Sequence, residues 1–113
     1  MKNCRTWVPV LFVSLTLGFS AFADDEMPLF KMTLKNHKFQ PSQFKVPAEK
    51  KFRVEIKNED NTSEEFESST MNIEKVAGPK KTLKLILGPL KAGKYPFFGD
   101  FNKDTASGAI EAE

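Results

Sequence analysis

The chain has 113 residues, among them 17 Lys and Arg, 15 Asp and Glu, one His and one Cys. That is the size of one small domain, which excludes a multidomain enzyme. The formal net charge of +2 is too small for a basic nucleic-acid-binding surface, so no nucleic-acid partner is expected.

Residues 1–23 read as a cleavable secretory signal peptide. Lys2 and Arg5 form a positive start, and Val8 to Phe19 is a mostly apolar run too short for an ordinary membrane span. Ala21-Phe22-Ala23 supplies a small-x-small cleavage pattern. The other reading of this segment is an uncleaved anchor. Cleavage implies a periplasmic protein. Taking Lys2 and Arg5 from the 17 cations leaves 15 against 15 acids, so residues 24–113 are net neutral. Cys4 and Trp7 leave with the same segment. The remaining domain then has no disulfide and no thiolate, which excludes a Cys nucleophile and ordinary blue-copper chemistry. His37 is its single imidazole, and nothing nearby builds a Ser-His-Asp triad around it.

After a short tail at residues 24–28, apolar residues recur with period two. Phe30, Met32 and Leu34 alternate with Lys31, Thr33 and Lys35; Phe52, Val54 and Ile56 alternate with Arg53, Glu55 and Lys57; Leu83, Leu85 and Leu87 alternate with Lys84 and Ile86. This is the pattern of an antiparallel sheet with one wet face. Breaks at Asn36-His37, Gln40-Pro41-Ser42, Asn58 to Ser63, Gly78-Pro79 and Gly88-Pro89 set a spacing that predicts a sandwich or barrel. Strands are expected near 29–36, 43–46, 51–58, 64–68, 72–76, 81–88, 93–98 and 107–112, with a short helical turn around 68–75 as an option. The fold class is therefore all-β, a sandwich or barrel filling residues 29–113.

Three segments carry a family resemblance. They are Phe39-Gln40-Pro41-Ser42-Gln43-Phe44-Lys45-Val46-Pro47-Ala48, the Asn58-terminated strand with Glu64-Glu65-Phe66-Glu67-Ser68, and Gly93-Lys94-Tyr95-Pro96-Phe97-Phe98-Gly99-Asp100-Phe101. Together they resemble the cupredoxin superfamily, and more closely its EfeO-type, iron-transport-associated branch. The resemblance implies a Greek-key β-sandwich. It also implies where copper ligands would stand: a first His at about Glu64, the Cys at Gly99, a second His near Asn102 and an axial Met near Thr105 or Ala106. None of these ligands is present. A type 1 copper site is not expected, because such a site needs a thiolate.

Oxygen donors stand there instead. Glu64, Glu65 and Glu67 share one segment, and Asp100 and Asp104 lie on the loop that should approach it. If 64–68 is a strand, Glu65 and Glu67 point to one side. Such carboxylates suit iron, manganese or calcium. The expected metal set is therefore Glu64, Glu65, Glu67, Asp100 and Asp104, with an iron ion, or copper, as cargo. The bland alternative is a solvated acidic face balanced by lysines. Glu59-Asp60 reads as turn chemistry. His37 is a turn or packing residue unless the first hairpin reaches the acidic end. Met71 is the one methionine placed near that end. Tyr95 and Phe97 read as core, whereas Phe98 and Phe101 are open to an apolar collar or a docking patch. Gly99 and Gly108 are expected at backbone turns.

The leading functional expectation is a non-enzymatic periplasmic accessory of an iron-transport system. Its partners would be the metal ion and a membrane iron permease or another periplasmic transport component. The alternatives are a metal-free cupredoxin-like interaction module and a ferroxidase component.

Overall fold

The computed structural model describes residues 27–113. The signal-peptide reading and most of the expected tail lie outside them. Nine strands are present among the described residues: β1 Leu29–Lys35, β2 Lys38–Gln40, β3 Gln43–Val46, β4 Phe52–Asn58, β5 Glu64–Ser68, β6 Ile73–Ala77, β7 Thr82–Leu87, β8 Gly93–Gly99 and β9 Ser107–Ala112. A 3-10 turn, Asp100–Asn102, follows β8. The strands form two mixed sheets, β2-β1-β4-β7 and β3-β9-β8-β5-β6. The sheets are not purely antiparallel as the alternation suggests: β1 pairs parallel with β4, and β3 with β9, because neither pair is joined by a direct hairpin.

The alternating residues explain why these segments close on each other. Met32, Leu34, Val54, Ile56, Leu85 and Leu87 point inward from the first sheet; Phe66, Phe97, Ile110 and Ala112 meet them from the second. Phe39 of β2 bridges the layers, with ring centroids 5.3 Å from Phe97 and 5.9 Å from Phe66. Edge-to-face packing of this kind adds to the burial that holds a disulfide-free core.

Two further details depart from the sequence reading. The short strand β2 was not expected. Asn36 and His37 both adopt positive φ, 53° and 60°, the left-handed pair that turns β1 tightly back into β2. Asn tolerates this conformation well. The optional helix around 68–75 is instead a turn, closed by the Asn72 N–H on the Ser69 carbonyl at 3.2 Å, leading into β6.

The loops at the β4–β5 end hang on two polar side chains. Asn58 is fully buried. Its amide nitrogen donates to the Thr62, Ala77 and Gly78 carbonyls at 2.8, 3.1 and 3.1 Å, and its oxygen accepts from the Asp60 N–H at 2.9 Å. Asp60 then accepts from the N–H groups of Asn36 and His37 at 2.7 and 2.9 Å. Burial opposes ionisation of Asp60, but those two N–H groups, with the nearby His37 and Lys80, hold its carboxyl below its ordinary value. Asn58→Ala should therefore destabilise the domain by about 1–3 kcal/mol, since it strands several buried backbone groups. Urea denaturation measures this; an unchanged midpoint would show that water satisfies those groups equally well.

Candidate functional site

Strand alternation on β5 sends neighbouring acids to opposite sides. Glu64, Phe66 and Ser68 are buried, while Glu65 and Glu67 stand on the outer face of their sheet. The five expected metal residues are thereby divided. Glu65, Glu67 and Asp100 each offer a carboxylate oxygen, and these three oxygens lie within 4.8 Å of one another. Glu64 points inward, and Asp104 is exposed on the following turn, outside this group.

Glu64 is 2% exposed, so its carboxylate needs internal partners. It accepts from the Phe101 N–H at 2.8 Å and the Asn102 side-chain amide at 2.7 Å, with the Glu65 N–H at 3.1 Å. Those donors sit on the loop closed by the Gly99 N–H on the Ala106 carbonyl at 2.8 Å and the Ala106 N–H on the Asn102 carbonyl at 2.9 Å. Glu64, Gly99 and Asn102, where the family resemblance implies copper ligands, thus do meet in space, together with Ala106; Thr105, the other place implied for the axial Met, turns its hydroxyl to the His37 carbonyl instead. They do not fit a type 1 copper. A Cβ on Gly99 would stand 2.5 Å from the Glu64 carboxyl carbon and 2.8 Å from the Ala106 Cβ, leaving no room for a cysteine. Neither Gly99 nor Gly108 sits in a turn. Both lie in strands and serve close approach, Gly108 beneath the Ser42 carbonyl and the Phe97 ring.

Outside, the electrostatics are those of crowded acids. Partial desolvation raises Glu65, followed by the charges of Glu74, Asp100 and Glu67 and a hydrogen bond with Asp100. Desolvation likewise raises Glu67, with Asp100 and Glu74 adding to it and Lys103 opposing. Glu74 is the cross-strand neighbour of Glu67, a like-charge pairing that costs stability in a sheet. One cation answers from the loop: Lys103 Nζ is 3.3 Å from Asp100 and lies 5.3 Å from the centre of the Phe98 ring. Sequence spacing alone did not single out Glu74 or Lys103. Finding Glu74 needs the β5–β6 register, which turns on the length of the 69–72 turn.

The remaining candidates are placed elsewhere. His37 Nδ1 lies 3.7 Å from Asp60, and its carbonyl accepts from Thr105 Oγ1; it is not in the carboxylate group. Met71 packs partly buried against the core, as does Tyr95, whose hydroxyl donates to the Lys91 carbonyl at 2.8 Å. Phe98 is half-buried under Lys103, whereas Phe101 is 55% exposed.

The two-sheet strand order fits a cupredoxin-like domain, and the family model of that description matches residues 8–111. The chain belongs to the cupredoxin-like domain family. It is 47% identical over 87 residues to an uncharacterized protein of Rickettsia prowazekii (strain Madrid E), covering 77% of this chain and 70% of the relative. Auracyanin A, a blue copper protein of Chloroflexus aurantiacus, superposes with a TM-score of 0.67 at 10% identity over 78% of this chain and 100% of that one. A purple cupredoxin of Nitrosopumilus maritimus gives 0.60 at 11% identity, over 74% and 99%. A chain of a heme-copper terminal oxidase dimer gives 0.64 at 14% identity, over 76% and 65%. At these identities the structural likenesses establish the shared fold.

The inward carboxylate and the missing side chain at residue 99 should behave as one unit. Gly99→Ala is expected to cost about 1–3 kcal/mol through overpacking. That cost should shrink when Glu64→Ala is also present, giving a coupling energy of about 0.5–3 kcal/mol in a double-mutant cycle. Strict additivity in chemical denaturation would show that the two positions do not compete for the same space.

Proposed function

We propose that this chain is a non-enzymatic, exported metal-handling module that carries iron, or copper, through Glu65, Glu67 and Asp100. The observation that carries the reading is the approach of those three carboxylate oxygens to within 4.8 Å. Hard cations bind carboxylate oxygen at about 2.0–2.6 Å, so donors on opposite sides of one ion stand roughly 4–5 Å apart. Desolvation first and the neighbouring acids second raise Glu65 and Glu67, and a cation would relieve the repulsive part. With no thiolate or imidazole in the set, coordination is open and exchange is favoured over permanent holding. The iron-transport role, with a membrane permease or another periplasmic component as acceptor, rests on the EfeO-type resemblance of the Glu64–Ser68 and Gly93–Phe101 segments.

A second reading, a metal-free interaction module, draws support from the exposed Phe101 beside Asp100. The fold's likeness to a chain of a terminal oxidase dimer fits a domain that docks within a membrane complex.

Calorimetric titration with ferrous, ferric and cupric ions under controlled redox conditions separates the two. Saturable binding of one iron ion per chain is expected, weakened at least tenfold by Glu65→Gln with Glu67→Gln and unaffected by Asp104→Asn. Affinity should fall with acidification, starting above the usual carboxylate range, because the raised Glu65 and Glu67 must lose protons to bind. The metal-free protein runs the other way. Protonation of these groups stabilises the native state fully below their ordinary value of 4.5, and the gain is lost as pH rises through their raised folded values. Binding that survives the double substitution unchanged would remove the carboxylate group from the account, and absence of any saturable binding would favour the interaction module.

A further inference from the structure

The neutrality of residues 24–113 conceals a strong segregation of charge. The outward face of the β2-β1-β4-β7 sheet presents Lys31, Lys35, Lys38, Arg53, Lys57 and Lys84. The only carboxylate on that face is Glu55, which the register seats between Lys31 and Lys84. Among the described residues, none of these cations lies within ion-pair distance of an acid. The acids Glu65, Glu67, Glu74 and Glu111 stand on the other sheet, which also carries Lys45, Lys75 and Lys94. The first sheet therefore has the more strongly cationic face, and the second a mixed one with its acids gathered on β5 and β6.

The cationic face also carries apolar groups at one end. Leu29, Arg53 and Ile86 are direct register neighbours across three strands. Leu29 is 37% and Ile86 62% exposed, and at a strand spacing of about 4.8 Å the row is roughly 10 Å long. The chain reaches the fold at this same edge: the Arg53 N–H donates to the Pro28 carbonyl at 2.8 Å and its guanidinium to the Met27 carbonyl at 3.3 Å. The apolar stretch Val8–Phe19 lies upstream of that point in sequence.

We infer that this sheet face is a docking surface for an anionic phospholipid membrane. Repeated cations with no ion-pair partner among the described residues, and two exposed apolar side chains flanking Arg53 at the rim, suit an array of phosphate headgroups above an acyl boundary. A nucleic acid or an acidic protein would use the cations but leave Leu29 and Ile86 unexplained. Docking by this face turns the Glu65–Glu67–Asp100 face away from the lipid, so the anionic surface does not repel those acids at close range. The inference stands apart from metal carriage, since vesicle binding is measured without metal and metal titration without vesicles.

The test is co-sedimentation of protein purified from the soluble fraction of cells expressing the full chain. Vesicles of phosphatidylcholine alone are compared with vesicles of phosphatidylcholine and phosphatidylglycerol in equal parts. Binding only to the mixed vesicles is expected, and it should weaken steeply with added salt. Lys31→Gln, Lys57→Gln and Lys84→Gln together should lower the affinity roughly a hundredfold. Lys45→Gln, Lys75→Gln and Lys94→Gln make the same change in net charge off this face and should leave most of the binding; circular dichroism confirms that both variants are folded. Equal binding to the two vesicle types, no binding to either, or equal loss in the two triple variants would overturn the inference. So would capture of a single-stranded DNA or an acidic polypeptide by a chain that ignores the mixed vesicles.

Discussion

The geometry of the site end depends on one buried carboxylate. Glu64 cannot stay inside the sandwich without donors, and it finds them on the Phe101 backbone and the Asn102 side chain. Those contacts pin the loop between β8 and β9. Asp100 lies between the space-limited Gly99 and the pinned Phe101, so its side chain is carried to the outer face beside Glu65 and Glu67. The inner hydrogen bonds and the outer acid group are thus two sides of one arrangement. The carboxylate fills the space that the family's copper ligands would frame, and the oxygen donors able to meet a cation have moved to the outside of the sheet.

The loss of a thiolate at residue 99 is accordingly more than a missing ligand. Once Glu64 turns inward, a glycine is required there, because any Cβ would meet the carboxyl carbon. The same constraint accounts for Ala106, whose small side chain borders the space from the other side. Glu64, Gly99 and Ala106 fit one another in size, as expected where side chains share a close-packed volume. Asn58 and Asp60 support this end from below by tying the β4–β5 loop to the β1–β2 turn, and Thr105 joins the last loop to the same turn through the His37 carbonyl.

Much of the architecture was legible in the residues. Period-two runs such as Phe52, Val54 and Ile56 admit one pleated reading, and the turn residues between them set their lengths. β2 escaped notice because three residues show no period; only the left-handed pair Asn36-His37 marks the hairpin. The acidic site was legible in part. Alternation placed Glu65 with Glu67, and the loop acids were marked as their partners. Which of those acids arrives was not readable, because Asp100 and Asp104 are separated by the winding of a single 3-10 turn. Glu64 was grouped with its neighbours by composition, whereas the pleat sends it to the opposite side, a consequence of β5 being buried on its inner face. The role of Gly99 was hidden because a sequence shows the absence of a side chain but not what presses into the space.

Charge adds a second level of order. Among the described residues most of the exposed strand carboxylates stand on one sheet and a run of cations outside ion-pair distance on the other, while the sum over residues 24–113 is zero. A net-neutral domain with opposed faces can be oriented by a charged surface without being drawn to every polyanion, since its long-range field nearly cancels.

The central claim, that the internal carboxylate has displaced cation binding to the outer face, is tested most directly by diffraction from crystals soaked in ferrous iron without oxygen. The account predicts one anomalous peak bounded by Glu65, Glu67 and Asp100, with Glu64 still hydrogen-bonded to Asn102. A peak inside the sandwich, coordinated by Glu64 and Asn102, would contradict it.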